Sequence, residues 1–249
     1  MNLPKLSLTV ALAAAGFAAQ AQGHAAHWNY AHGHEGPAHW AELDHAFESC
    51  AKGANQSPID IRKAVKADLP TLQFGYAEAV PTIVNNGHTI QVNLPAGLTL
   101  RVGDTTYELL QFHFHSPSEE ALSGKRAAMD AHFVHKSTGG ELGVVAILIQ
   151  SGKNNAAYAP VFAHLPRQGE SIQVEGLKLN PAAMLPTDKG YYAFEGSLTT
   201  PPCSEGVNWM VMKQPITLGA AQIKAFRRLF NANARPIQPQ NGRVIRESN

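Results

Sequence analysis

Gln111-Phe112-His113-Phe114-His115 reads as the interior of a β-strand. Side chains alternate faces along a strand, so Gln111, His113 and His115 share one face, and Phe112 and Phe114 share the other. Two imidazoles two residues apart on a strand can converge on one ion. Downstream, Asp130-Ala131-His132-Phe133-Val134-His135 alternates in the same way. Asp130, His132 and Val134 fall on one face, and Ala131, Phe133 and His135 on the other. If the two segments pair as antiparallel neighbours, His132 can stand beside His113 and His115. Three neutral imidazoles suit zinc and leave a fourth position for water, the pattern of a catalytic site. Gln111 and Asp130 each precede a ligand by two residues on the same face, where they can fix the outer N–H of an imidazole. His135 is expected to be an ordinary half-buried residue.

Further strand-like pieces surround these two segments. They cover residues 82–84, 89–94, 98–102, 106–115, 131–135, 142–150 and 209–212. Turn residues separate them, among them Pro95-Ala96-Gly97, Gly103-Asp104, Ser123-Gly124 and Thr138-Gly139-Gly140. Helical spacing is expected only at 156–164 and 218–230, the second carrying Ala221, Ile223, Phe226 and Leu229. Residues 22–53, rich in His, Gly and Ala, are expected to be irregular. One mainly-β domain follows.

The composition agrees with that reading. The 249 residues are 44% hydrophobic and 16% charged, enough for a sizeable core. A formal charge of +1 points to no nucleic acid and no anionic membrane as partner. Lys5, an apolar run over 6–19 and Ala19-Gln20-Ala21 predict a signal peptide over 1–21, with the mature chain starting near Gln22. The run is short for a membrane span, and no cysteine near the cut offers a lipid anchor. A periplasmic or secreted location is therefore expected. Export favours one bridge between Cys50 and Cys203, the two cysteines present; two free buried thiols are the other reading.

More blocks of sequence accompany the histidines. His27-Trp28-Asn29-Tyr30, Gly36-Pro37-Ala38-His39-Trp40, Gln56-Ser57-Pro58-Ile59-Asp60-Ile61 and Asn85-Asn86-Gly87-His88 precede them. Ser197-Leu198-Thr199-Thr200-Pro201-Pro202-Cys203, Asn233-Ala234-Arg235-Pro236 and Gln238-Pro239 follow. In this order, over essentially the whole chain from residue 22, they resemble the alpha class of carbonic anhydrases, of bacterial exported type. The resemblance implies a single catalytic domain over 22–249, built on a large, mostly antiparallel twisted β-sheet with short peripheral helices. It implies reversible hydration of carbon dioxide to bicarbonate and a proton, by attack of zinc-bound hydroxide. The partner is then a small-molecule substrate; a homodimer is left open.

Roles follow residue by residue from the same resemblance. His113, His115 and His132 are the implied zinc ligands, with Gln111, Asp130 and the Asn233 carbonyl supporting them in turn. Thr199 binds the nucleophile and passes its own proton to Glu119. Val134, Val144, Leu198, Val207 and Trp209 match the apolar pocket, and Thr200, Tyr30, Asn86 and Gln91 its polar side. His88 matches the proton shuttle. The chain departs from the family at Glu120 (usually His or Asn), Ala127 (aromatic or His), Asp130 (Glu), Phe194 (Tyr) and Gln91 (often Asn). The changes at Glu120 and Phe194 are expected to belong together. Two other readings stand beside this one. His113-x-His115-x-x-x-Glu119 also fits a cupin-like metalloenzyme with Glu119 as a ligand. A non-catalytic zinc-binding relative, or a zinc carrier, would use His24, His27, His32, His34, His39 and His45.

Overall fold

The structure is a computed structural model that describes residues 26–249. The expected signal peptide over 1–21 and His24 lie outside the described residues. Among these, thirteen strands join in one mixed, largely antiparallel sheet, and a small second sheet of three strands lies apart from it. The main path runs Ser171–Ile172, Thr82–Asn85, Ile90–Asn93, Thr105–His115, Met129–Ser137, Leu142–Gly152, Glu205–Met212, Tyr191–Ser197, Ile245–Ser248 and Ala64–Ala67. Parallel pairing occurs where Leu142–Gly152 meets Glu205–Met212 and Ile216–Gly219, and where Ile245–Ser248 meets Ala64–Ala67.

Alternation divides the core in two. Val92, Phe112, Phe114, Ala131, Phe133, Val145 and Ile147 pack in the larger cluster, together with Tyr158, just before one flanking helix, and Phe226 from another. Val144, Ala146, Val207, Trp209, Val211 and Phe194 belong to the smaller one, with Ile59 and Ile61. Phe112, Phe114 and Phe133 are fully buried, and each contributes on the order of 1.5–3 kcal/mol by leaving water. This apolar face holds the two ligand strands in register. His132 stands opposite His113, Asp130 opposite His115 and Val134 opposite Gln111. The same row continues to Gln91 beside His113 on one side, and to Ala146 beside His132 on the other.

The helices are shorter than their periodicity predicts. Leu218 belongs to the strand Ile216–Gly219, and the helix is Ala220–Leu229, where the Gln222 side chain reaches back to accept from the Gly219 N–H at 3.0 Å. The other helix is Ala159–Ala163; Asn155 accepts from the Ala157 N–H at 3.1 Å and holds the preceding residues in a turn. The segment expected to be irregular contains the short helical turns Trp40–Leu43, His45–Phe47 and Ser49–Lys52. Local bonds make them: Asp44 caps the second through the Ala46 N–H, and the buried Trp40 indole donates to the Asn29 carbonyl at 3.0 Å. No helix among the described residues is long and apolar enough to cross a membrane.

Candidate metal centre

His113, His115 and His132 each offer one ring nitrogen, and these three atoms lie within 4.8 Å of one another. The remaining nitrogens are already engaged. Gln111 Oε1 accepts from His113 Nδ1 at 2.8 Å, and the Asn233 carbonyl accepts from His115 Nδ1 at 2.7 Å. His132 turns the other way: its Nε2 lies 3.1 Å from Glu120 Oε2 and 3.3 Å from Asp130 Oδ2, leaving Nδ1 toward the other two rings. His115 Nε2 is buried without a hydrogen-bond partner. A buried nitrogen without a hydrogen-bond partner, facing a ring nitrogen on each of two further histidines, is costly unless something electrophilic completes it. The donor set fits a three-coordinate protein site for zinc, with the outer nitrogens held as a metal-binding histidine requires.

The electrostatics agree with this geometry. Burial, and then the neighbouring His115 and His132, hold His113 well below the usual histidine pKa, so it is a neutral donor at neutral pH. Burial also disfavours charge on His132, but Asp130 and Glu120 outweigh it and push its pKa well above the usual value. The same anions make Nδ1 of His132 a stronger donor toward a cation.

The supporting residues are themselves tied down. The Asn233 side chain accepts from the Ser116 N–H at 2.9 Å and donates to the carbonyls of His88 at 3.0 Å and Phe114 at 2.9 Å. Its own carbonyl is thereby fixed against His115. Glu119 is fully buried; its Oε1 accepts from the Arg235 N–H at 2.7 Å, and its Oε2 has no hydrogen-bond partner but lies 3.5 Å from His115 Nε2 and 3.9 Å from His132 Nδ1. No hydrogen bond joins Thr199 to Glu119 among the described residues. The Arg235 guanidinium, also buried, donates to Gln56 Oε1 at 2.8 Å and to the carbonyls of Ser57 at 2.7 Å and Cys50 at 2.9 Å.

A cavity of about 180 Å³ opens onto the three histidines. Val134, Val144, Leu198 and Trp209 form its apolar wall, and Tyr30, Asn86, His88, Gln91, Thr199 and Thr200 its polar side. Val207 is buried in the packing beneath and does not line it. A larger cavity of about 620 Å³, lined in part by Tyr107, Glu141, Asn208 and Arg246, touches none of the three histidines. At the polar side, His88 stacks on Trp28 with ring centres 3.8 Å apart. Burial, and then repulsion from His27, lower its pKa from the ordinary histidine value.

The Thr199 segment is clamped from several directions. Cys50 and Cys203 are bridged, which settles the pairing in favour of one disulfide. The Gln56 amide donates to the Cys203 carbonyl at 3.0 Å. The Trp209 indole donates to the Ser197 carbonyl at 3.1 Å and stacks on Phe194. Gly196 permits that approach, since a Cβ there would lie 2.2 Å from Ser57 Oγ and 2.9 Å from the indole.

His135 belongs elsewhere. It is buried, with Nδ1 donating to the Gly143 carbonyl at 3.2 Å and Nε2 accepting from the Tyr76 hydroxyl at 2.5 Å. Of the N-terminal histidines, His27 pairs with Glu35 at 3.2 Å and His39 with Glu42 at 3.1 Å. No three of them form a ligand group among the described residues. The contact between Glu120 and His132 had no sequence signal, because nothing in the local pattern aims Glu120 at the metal strands. Trp28 stacking on His88 was likewise invisible, the two being far apart in the chain.

A model of the eukaryotic-type carbonic anhydrase family matches residues 35–249. A carbonic anhydrase of Pectobacterium carotovorum is 44% identical over 220 residues, which cover 88% of this chain and 90% of that one. One from Pectobacterium atrosepticum is 42% identical over 242 residues, covering 97% and 98%. Among solved structures, the alpha-carbonic anhydrase of Thermovibrio ammonificans in complex with the inhibitor sulfanilamide superposes with a TM-score of 0.87 at 39% identity, over 90% of this chain and all of that one.

Proposed function

The chain belongs to the alpha, or eukaryotic-type, carbonic anhydrase family, and from that premise we propose that it hydrates carbon dioxide with zinc held by His113, His115 and His132. The observation that carries the metal assignment is the buried, unpartnered Nε2 of His115 facing one free nitrogen on each of the other two rings. When bound, zinc would supply a Lewis acid with an open position, able to bring the pKa of water to about 7, an effect for which carbonic anhydrases are the standing example.

The chain's own residues do the rest. Carbon dioxide is apolar and fits the wall of Val134, Val144, Leu198 and Trp209 beside the histidines. Bicarbonate is charged, fits that wall badly and leaves. Thr199 lines the cavity; with its proton given to Glu119, its hydroxyl can only accept a hydrogen bond, which selects a protonated nucleophile and orients it. The unpaired Oε2 of buried Glu119 is the acceptor for that proton. Thr200, Tyr30, Asn86 and Gln91 hold water along the path to His88, which takes the proton released in each turnover. Residues 1–21 act as the export signal, and the disulfide suits an oxidising compartment outside the cytoplasm.

Stopped-flow hydration of carbon dioxide, before and after zinc removal by a chelator, tests this reading. Activity should vanish with the zinc and return when zinc is restored. Full activity in the metal-free protein would refute it.

A further inference from the structure

The second nitrogen of His132 must be held if Nδ1 is to point at the metal, and two carboxylates stand near it. Asp130 is the shorter, and its Oδ2 also accepts from the Glu119 N–H at 2.6 Å. It stands 3.3 Å from His132 Nε2. Glu120 Oε2 is closer, hydrogen-bonded to the same nitrogen at 3.1 Å. A single Nε2–H makes one good bond, and Glu120 is the nearer acceptor for it.

We infer that Glu120 is the positioning residue for His132, while Asp130 acts one step back by fixing the main chain at Glu119. The inference rests on His132 being a metal ligand.

The local structure explains how Glu120 is delivered. Ser118 Oγ donates to the Glu120 carbonyl at 2.8 Å and accepts from the Ala127 N–H at 2.8 Å. The next residues, Ala121–Leu122, pair with Asp60–Ile61 on one side and Lys125–Arg126 on the other. Glu120 is thus fastened at its own main chain and at the strand that follows, and its side chain is fully buried against the ring. Asp130 lacks the methylene that a glutamate would use to reach Nε2, and Glu120 reaches across from the neighbouring segment to the same nitrogen. The two departures from the family pattern compensate each other.

Zinc release from the loaded protein into excess chelator tests this. Glu120→Gln keeps the shape but replaces the anion with a weak acceptor, and should release zinc about 10-fold faster or more, the loss typical of such partners and known from carbonic anhydrases themselves. Adding Asp130→Glu to that variant should restore retention most of the way, because the longer carboxylate reaches Nε2. If the amide variant does not fold, Glu120→Asp, still anionic but too short, should show the same loss and the same rescue. By NMR, the His132 Nε2 proton should move upfield in Glu120→Gln and stay near its wild-type shift in Asp130→Asn. Unchanged zinc release in folded Glu120→Gln, failure of Asp130→Glu to rescue, or the reverse pattern of proton shifts would overturn the inference. Wild-type protein that binds no zinc would instead overturn the metal assignment, and the inference with it.

Discussion

His135 lies three positions after His132, and alternation sends them to opposite faces with opposite electrostatics. Burial pushes the pKa of His135 down from 6.5 to about 4, outweighing the hydrogen bond to the Gly143 carbonyl, which favours the charged form. The unfolded chain takes up this proton first. Its contribution to stability is therefore complete above about pH 6.5, is lost as pH falls toward 4, and amounts to at most ~3 kcal/mol. In denaturant titrations across that window, His135→Gln should flatten the fall of stability with acid; an unaltered slope would mean that His135 is not held neutral. In the proposed reaction, His88 acts on turnover instead. A histidine titrates near neutrality, as a proton carrier must. His88→Ala should lower kcat in dilute buffer, leave kcat/KM nearly unchanged and recover in concentrated imidazole buffer. An unchanged kcat would place the shuttle elsewhere.

At the scale of elements, the segment Ser197–Cys203 matters most, because it carries Thr199 on a loop with little repetitive bonding of its own. Its rigidity comes from the bridge to Cys50, the Gln56 amide and the Trp209 indole. The bridged residues are 153 apart in the chain, so loss of the bridge in a Cys50→Ser/Cys203→Ser variant should cost up to ~5 kcal/mol by chain entropy. Thermal or denaturant unfolding of the reduced and oxidised forms measures this, and equal stability would show that the bridge constrains nothing. Legibility in the sequence followed the same division between regular and irregular elements. Thr105–His115 and Met129–Ser137 were readable, and so were the candidate ligands they carry, because alternation puts Phe112, Phe114 and Phe133 on one face and His113, His115 and His132 on the other. Tyr191–Ser197 was not, since its seven residues include Gly196 and it is defined by the strands on either side. Ala64–Ala67 and Ile245–Ser248 are short strands completed by pairing with each other. The ends of the two helices were misjudged because a strand and an Asn turn claim residues with good helical spacing. The contact of Glu120 with His132 depends on the turn at Ser116–Glu120 closing in three dimensions, which no window of sequence reports.

At the scale of the whole molecule, the sheet acts as a partition. One face is packed with Phe112, Phe114 and Phe133, and the other holds ionisable groups in a small cavity beside a second, smaller core. The packed face sets the register, the register sets His132 opposite His113, and the metal site follows from that pairing. Zinc held as proposed would join residues from two adjacent strands, so its removal should also lower the melting temperature. The central claim is that three histidines hold the metal and the fourth on these strands does not. Metal analysis of purified wild type, His132→Ala and His135→Ala tests it most directly. Wild type and His135→Ala should carry about one zinc per chain, as a three-histidine site requires, and His132→Ala little or none. Full zinc content in His132→Ala, or loss of zinc in a folded His135→Ala, would contradict it.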